Sequence, residues 1–300
     1  MKLGYSTRCA SGPSFGACHF LVYRFDSRYG FKPEMGESWI FQNVDATAHA
    51  LRGQLGWYTG LWRSATGKVY VAYAIGEVLV NLDPEPRAAP WREDPVPGTL
   101  AGIWGLDDEC VFTWGLRSGA NVLYRFDGRT WTELPAPGEI LAMHGVAPDL
   151  VYAVGRDGLV ARWDGRRWTK VVTLGRGVLT DVYVVGEDEM YAVGSGGQLL
   201  QGSIHGWDEV LNGSGPLFGV AKWKGEVWVA AEERGVMKLA ASKLVPMKPN
   251  IKATGLDARG DLLVSSPAVV AGTADGTAYF GAKAVDAAQA LKSVPAWSRR

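Results

Sequence analysis

Cysteine is scarce in this 300-residue chain. Cys9, Cys18 and Cys110 are the whole complement, an odd and scattered set that cannot make the disulfide framework of a small secreted scaffold. No Cys-x-x-Cys pair occurs, so there is no thiolate zinc motif. Net charge is also absent. Thirty-one Lys and Arg balance 31 Asp and Glu, which excludes a general binder of nucleic acid or anionic membrane while leaving room for a local patch. No window approaches the about 18 continuous apolar residues of a membrane span. The N-terminal stretch has one Lys and then a polar, Gly- and Ser-containing run, without the apolar core of a signal peptide. These features lead to the expectation of a reducing, cytoplasmic setting. The four histidines, His19, His49, His144 and His205, form no close-spaced ligand pair. A nucleophile elbow is missing, and Gly194-Ser195-Gly196-Gly197 lacks the Lys-Ser/Thr of a phosphate loop. No metal or cofactor is therefore expected.

What the chain has in excess is glycine, 39 residues, and tryptophan, 13, against an average glycine share of about 7%. The excess is periodic. Val151-Tyr152-Ala153-Val154-Gly155 recurs as Met190-Tyr191-Ala192-Val193-Gly194, and looser copies place Tyr70, Phe112 and Trp228 at the same point. Successive aromatics are 42, 40, 39 and 37 residues apart, the period of a propeller blade. Eight residues before each stand Trp62, Trp104, His144, Tyr183 and Val220, and a third series, Trp91, Trp131, Trp168 and Trp207, keeps the same beat. The clearest unit reads as strands 140–146, 150–154, 159–163 and 168–174. Asp164-Gly165 turns the last hairpin, where both turn residues are expected to accept φ > 0.

Such units bury their faces by stacking flank to flank. The expected fold is all-β: a single β-propeller domain of four-stranded blades at about 1–53, 54–97, 98–139, 140–177, 178–215, 216–250 and 251–300. Seven blades are favoured because Tyr23-Arg24-Phe25-Asp26 repeats Tyr124-Arg125-Phe126-Asp127. The first blade would be degenerate, with completion by 291–300 considered. Six blades with an N-terminal extension is the alternative, and Ala284–Leu291 reads as a short helix. Tyr152, Gly155, Gly158, Asp164, Gly165 and Trp168, with Tyr191, Gly194, Gly197 and Trp207, resemble bacterial propeller repeats of the BNR/Asp-box-like or photosystem II assembly factor-like type. The resemblance covers residues 98–215 best. It departs from a true Asp box, because Ser is absent before Asp127 and Asp164. The Trp163-Asp164 and Trp207-Asp208 dipeptides also lack the upstream Gly-His of a WD repeat. The resemblance implies fold and says little about activity.

Candidate functional residues fall in loops. The second-to-third-strand loops carry Arg117, Arg156, Glu232 and Glu233, the fourth-to-first loops carry Arg176 and Asn212-Gly213-Ser214-Gly215, and Trp57 is a further candidate contact residue. Together they would make one polarised face suited to docking an oppositely patterned protein. The acidic runs Asp107-Asp108-Glu109 and Glu187-Asp188-Glu189 read as solvated first-to-second-strand turns. His144 reads as a packed structural residue, and Cys110 as a buried one. The expected function is a non-catalytic propeller, monomeric when free, that binds another protein through one ring face. Assembly factors and toxin-neutralising (immunity-type) proteins are the two settings. The alternatives are a channel-site enzyme, a lyase or glycoside hydrolase using converging Arg117, Arg156 and Arg176, and a glycan-binding lectin. Loops that differ from unit to unit argue against one sugar site per blade.

Overall fold

The computed structural model describes residues 3–292 apart from 30–31, 33–35, 46, 83–89, 172–176 and 214. Its strands form seven four-stranded antiparallel sheets, each laid down in chain order. The first sheet comprises Leu3–Ser11, His19–Asp26, Glu37–Val44 and Thr47–Leu55. The second comprises Tyr58–Arg63, Val69–Tyr73, Glu77–Asn81 and Trp91–Pro95. The third comprises Thr99–Asp107, Cys110–Arg117, Ala120–Phe126 and Trp131–Leu134. The fourth comprises Ile140–Ala147, Leu150–Gly155, Val160–Trp163 and Trp168–Lys170. Leu179–Gly186, Glu189–Gly194, Leu199–Ser203 and Gly206–Leu211 make the fifth. Gly219–Trp223, Glu226–Ala230, Val236–Ala240 and Lys243–Lys248 make the sixth. The seventh holds Gly255–Asp257, Leu262–Ser265, Val269–Thr273 and Phe280–Lys283. This is a seven-bladed β-propeller, and the six-bladed alternative falls because residues 3–55 supply a complete sheet of their own. Two compact units are distinguished, Met1–Leu100 with Asp257–Arg300, and Ala101–Leu256.

The repeat anchors have a direct geometric meaning. In a hairpin with a short turn, residues eight apart face each other across the strands. Trp62 pairs with Tyr70, His144 with Tyr152 and Tyr183 with Tyr191. In the sixth sheet the register moves by one, and Ala221, not Val220, opposes Trp228. Within the second unit the aromatics also join neighbouring sheets. Phe112 meets Trp168 edge-on at 5.9 Å, and Tyr152 meets Trp207 at 5.9 Å. Such perpendicular pairs add about 0.5–1.5 kcal/mol to the burial of their area. On the first strands, His144 lies between Trp104, 5.8 Å away, and Tyr183, stacked at 4.3 Å.

A first strand is the edge of its sheet, with N–H groups left over. Side chains from the preceding first strand take them up. Ser11 Oγ accepts from Arg63 N at 2.9 Å, His144 Nδ1 from Val184 N at 3.0 Å, and Asp181 Oδ2 from Val220 N at 2.9 Å. Burial pushes the Asp181 carboxyl up to about 7, against the downward pull of the Val220 and Val182 amides.

Two expectations are corrected. The Asp-Gly hairpins do not put both turn residues at positive φ: Gly128 and Gly165 do so, at 92° and 87°, while the aspartates do not. Each aspartate instead accepts two amides, those of Arg129 and Thr130 at Asp127 and those of Arg166 and Arg167 at Asp164. The carboxylate thus caps the turn. Asp275 does the same for Thr277 and Ala278, a third copy that the repeat spacing did not reveal. Second, Tyr23–Asp26 belongs to a second strand and Tyr124–Phe126 to a third. The shared tetrapeptide therefore marks no equivalent position. The C-terminal helix, Ala284–Lys292, seats Ala287 and Leu291 beside Phe20 and Phe41 of the first sheet and Leu263 of the seventh. No helix among the described residues is long and apolar enough to cross a membrane.

Candidate functional site

In the second unit the second-to-third-strand loop is clasped to the segment entering the first strand. Arg156 N donates to the Glu139 carbonyl at 3.1 Å in the fourth sheet, and Ser195 N to the Val178 carbonyl at 3.0 Å in the fifth. The glycine of each Val-Gly pair permits this approach. A Cβ on Gly155 would lie 1.9 Å from the Glu139 carbonyl oxygen, and one on Gly194 would lie 2.8 Å from that of Val178. The clasp also sets the side chains. Arg156 Nε donates to Glu139 Oε1 at 2.5 Å, and Asp157 takes a left-handed conformation with φ 54°. A groove of about 280 Å³ opens here, lined by Glu139, Arg156 and Asp157, with Asn121 of the third sheet, Lys170 and Val171. Two cations and two carboxylates line an open polar trough.

Arg117 belongs to a different arrangement. It ends its strand before a two-residue turn in which Ser118 and Gly119 have φ 52° and 82°, the mirror-image turn that suits strand twist. Its guanidinium forks onto Glu133 of the fourth strand at 2.7 and 2.8 Å and reaches Tyr124 Oη at 3.0 Å. Those hydrogen bonds hold the exposed Glu133 carboxyl below its ordinary range. Arg117 thus points to the fourth-strand edge of its sheet and Arg156 to the entry of a first strand. The two do not converge as a shared anion clamp would require. Glu232 and Glu233 both pair with Lys252 Nζ, at 3.3 and 2.6 Å, and Glu232 is left-handed with φ 49°. Trp57, in the first unit, donates from Nε1 to Tyr23 Oη at 2.7 Å under the guanidinium of Arg8. Arg176 lies outside the described residues. Within the second unit Arg117, Arg156 and the Glu232/Glu233 pair thus sit in separate, locally neutralised ion pairs, and of these only Arg156 lines the groove.

Sequence reasoning missed Glu139, Asn121 and Lys170. The signal for Glu139 was present: it directly precedes Ile140, whose register partner is Gly155, so Glu139 had to face Arg156. Arg234 was also passed over. It is half-buried, donates to the Gly215 carbonyl at 3.3 Å, and is held below its ordinary range by desolvation. Glu189, expected as a solvated turn residue, instead ties the fifth sheet to the sixth. Lys222 Nζ donates to its Oε2 at 2.6 Å and Tyr191 Oη to its Oε1 at 2.7 Å. Burial raises the Glu189 carboxyl, and these bonds more than reverse that.

For catalysis a general acid needs a desolvated carboxyl, and the groove carboxylate of Glu139 is open to solvent, its side chain 44% exposed. Among the described residues no three His, Cys, Asp or Glu side chains gather as a metal site. The cysteines are unpaired, and burial raises the thiols of Cys9 and Cys18 to about 11 and about 12, which suppresses the reactive thiolate.

No family model matches the chain. Among curated proteins it is similar to the immune protein Tsi7 of Pseudomonas aeruginosa, with 28% identity over 146 residues, 45% of this chain and 47% of that protein. The match thus spans about half the length of the relative. Among solved structures it is similar to the WD40 β-propeller domain of Doa1, with a TM-score of 0.65 and 12% identity over 88% of this chain and 94% of that one. It is likewise similar to YCF48 bound to a D1 peptide, with a TM-score of 0.63 and 12% identity over 89% and 93%. At that identity the structural likenesses show the propeller fold and nothing more.

Proposed function

We propose that this chain is a non-catalytic propeller that binds a partner protein as an immunity-type, toxin-neutralising protein. The observation that carries the reading is the groove at Arg156. It is a polar trough whose ion pair is rigidly placed by a backbone clasp yet open to solvent, so a partner's charges can exchange with it. Exposed pairs contribute only about 0–1 kcal/mol to the fold and are correspondingly cheap to re-pair at an interface. The similarity to the immune protein Tsi7 extends to sequence, whereas the likeness to the peptide-bound YCF48 is one of fold. That difference ranks toxin neutralisation above assembly. In this reading the protein is a cytoplasmic, bacterial monomer before it meets its partner, and its Asp127 and Asp164 hairpins are a BNR-like variant without the leading Ser.

The test is co-expression with the proteins encoded beside it. The expected result is that one of them is toxic alone, is tolerated with this chain, and co-elutes with it in a fixed ratio. Arg156→Glu is expected to weaken that complex about tenfold or more, since reversing a charge at an interface costs at least about 1.4 kcal/mol. Absence of any stoichiometric complex refutes the reading.

A further inference from the structure

Three first strands of the first unit end at one place. Ser11 closes that of the first sheet, Arg63 that of the second, and Asp257 that of the seventh, with Arg259 two residues on. Arg259 forks onto Asp257, Nε to Oδ1 at 3.0 Å and Nη2 to Oδ2 at 2.7 Å. Its Nη2 also donates to Ser11 Oγ at 2.5 Å, and its Nη1 to the Arg63 carbonyl. Asp257 further accepts from Gly12 N at 3.2 Å. Arg259 is therefore fixed in place, with its carboxylate fully engaged.

Arg63 is not so provided. Its guanidinium donates only to the Ser64 carbonyl, at 3.4 Å, and its Nε is buried without a partner. The residue is half-buried, and no carboxylate among the described residues pairs with it. The titratable groups packed near it offer it no ion pair. His19, opposite Ser11 in register, is 2% exposed with neither ring nitrogen partnered. Desolvation and then Arg63 hold it down to about 3, so it is neutral. The Cys18 thiol is protonated, and the nearby Asp261 carboxylate accepts from Phe15 N at 3.2 Å. Asp257 is taken by Arg259 and Asp261 by a backbone amide, so the Arg63 guanidinium is left without a partner carboxylate in a partly desolvated place. Desolvation and then the like charge of Arg259 push Arg63 below its ordinary range. Such a charge is costly without a counter-ion, and a guanidinium fork matches the two oxygens of a carboxylate or phosphate.

We propose that Arg63 and Arg259 form an oxyanion-binding site, taking a carboxylate or phosphate group between a pre-set guanidinium and an unsatisfied one. The site lies apart from the Arg156 groove and stands whether or not the groove binds a partner. It is tested on the full chain by thermal unfolding and calorimetric titration with sodium phosphate and with sodium succinate, against sodium chloride at equal ionic strength. A saturable rise in Tm beyond chloride is expected for at least one of them. Saturation by phosphate alone assigns a phosphate ligand, and saturation by succinate alone assigns a carboxylate. Arg63→Gln should weaken binding about tenfold or more. Arg63→Lys, which keeps the charge without the fork, should fall between and serves if the Gln variant does not fold. Arg166→Gln, at an exposed hairpin arginine, should leave binding unchanged. An equal response to all three salts, or full retention of the anion effect in Arg63→Gln, overturns the proposal.

Discussion

Replacing Gly155 by alanine should damage fold and groove together. The added Cβ would stand 1.9 Å from the Glu139 carbonyl oxygen and 3.1 Å from Ile140 Cα. Both are backbone atoms, so relief requires the entry to the first strand to move by on the order of 1 Å. That movement breaks the Arg156 N to Glu139 carbonyl bond, worth about 1 kcal/mol, and adds about 1–3 kcal/mol of overpacking strain. The expected loss is about 2–4 kcal/mol, read as a lower urea midpoint followed by tryptophan fluorescence. Gly206 is the matched control. It also lies in a strand, its φ is ordinary, and a Cβ there meets nothing within 4 Å. Gly206→Ala should be neutral or stabilising by up to about 1 kcal/mol, because alanine narrows the unfolded ensemble. If Gly155→Ala unfolds within about 0.5 kcal/mol of the parent, or Gly206→Ala is equally harmful, the claim that glycine at Gly155 serves the clasp is wrong.

Gly202→Ala should cost about 1–3 kcal/mol, since its Cβ would enter the Trp207 ring, with the nearest atom at 2.3 Å; chemical denaturation checks it. The folded state holds Asp181 protonated up to about 7 while the unfolded chain releases that proton near 4, so stability should fall as pH rises between those values. Asp181→Asn, which can still accept from Val220 N, should remove that slope and exceed the parent at pH 8 by about 1–4 kcal/mol; urea midpoints at pH 5 and pH 8 decide it. Lys222→Met should cost about 1–2 kcal/mol at neutral pH by orphaning the half-buried Glu189. Because Glu189 is held below its ordinary range, that penalty should fade as acid protonates it, which a pH series of denaturation curves would show.

The repeat was legible because its cause is local. A short turn obliges residues eight apart to face each other, and a ring filling the gap between two sheets must recur once per sheet. Trp62 with Tyr70, and Tyr183 with Tyr191, are that rule in the chain. The first sheet escaped because its strands run to eight or nine residues and His19–Asp26 carries its aromatics at other spacings. The site was half legible for a related reason. A loop arginine can be read from the chain, but what holds it depends on cross-strand register and on side-chain direction. Arg117 and Arg156 occupy like loops, yet one turns to Glu133 and the other to Glu139. Arg63 was invisible as a ligand group because its neighbours Ser11 and Arg259 are brought to it by three separate sheets.

The same division explains how one scaffold can carry a specific surface. The rings and close-approach glycines of each unit are constrained by packing, and substitution there is expressed as lost stability. The loops between second and third strands are released from that constraint, in the fourth and fifth sheets by the glycine clasp that fixes their ends. They can then end in a two-residue turn at Ser118-Gly119, an Asp157 bend, or a left-handed Glu232 without disturbing the sheets. Their charges are paired, but with partners exposed enough that each pair adds little to the fold. Reversing Arg156 should therefore change what the protein binds and leave its unfolding midpoint almost unmoved, whereas Gly155→Ala should move both. A variant pair that instead shifted midpoint and binding in the same proportion would show that the groove is part of the packing and not a surface released from it.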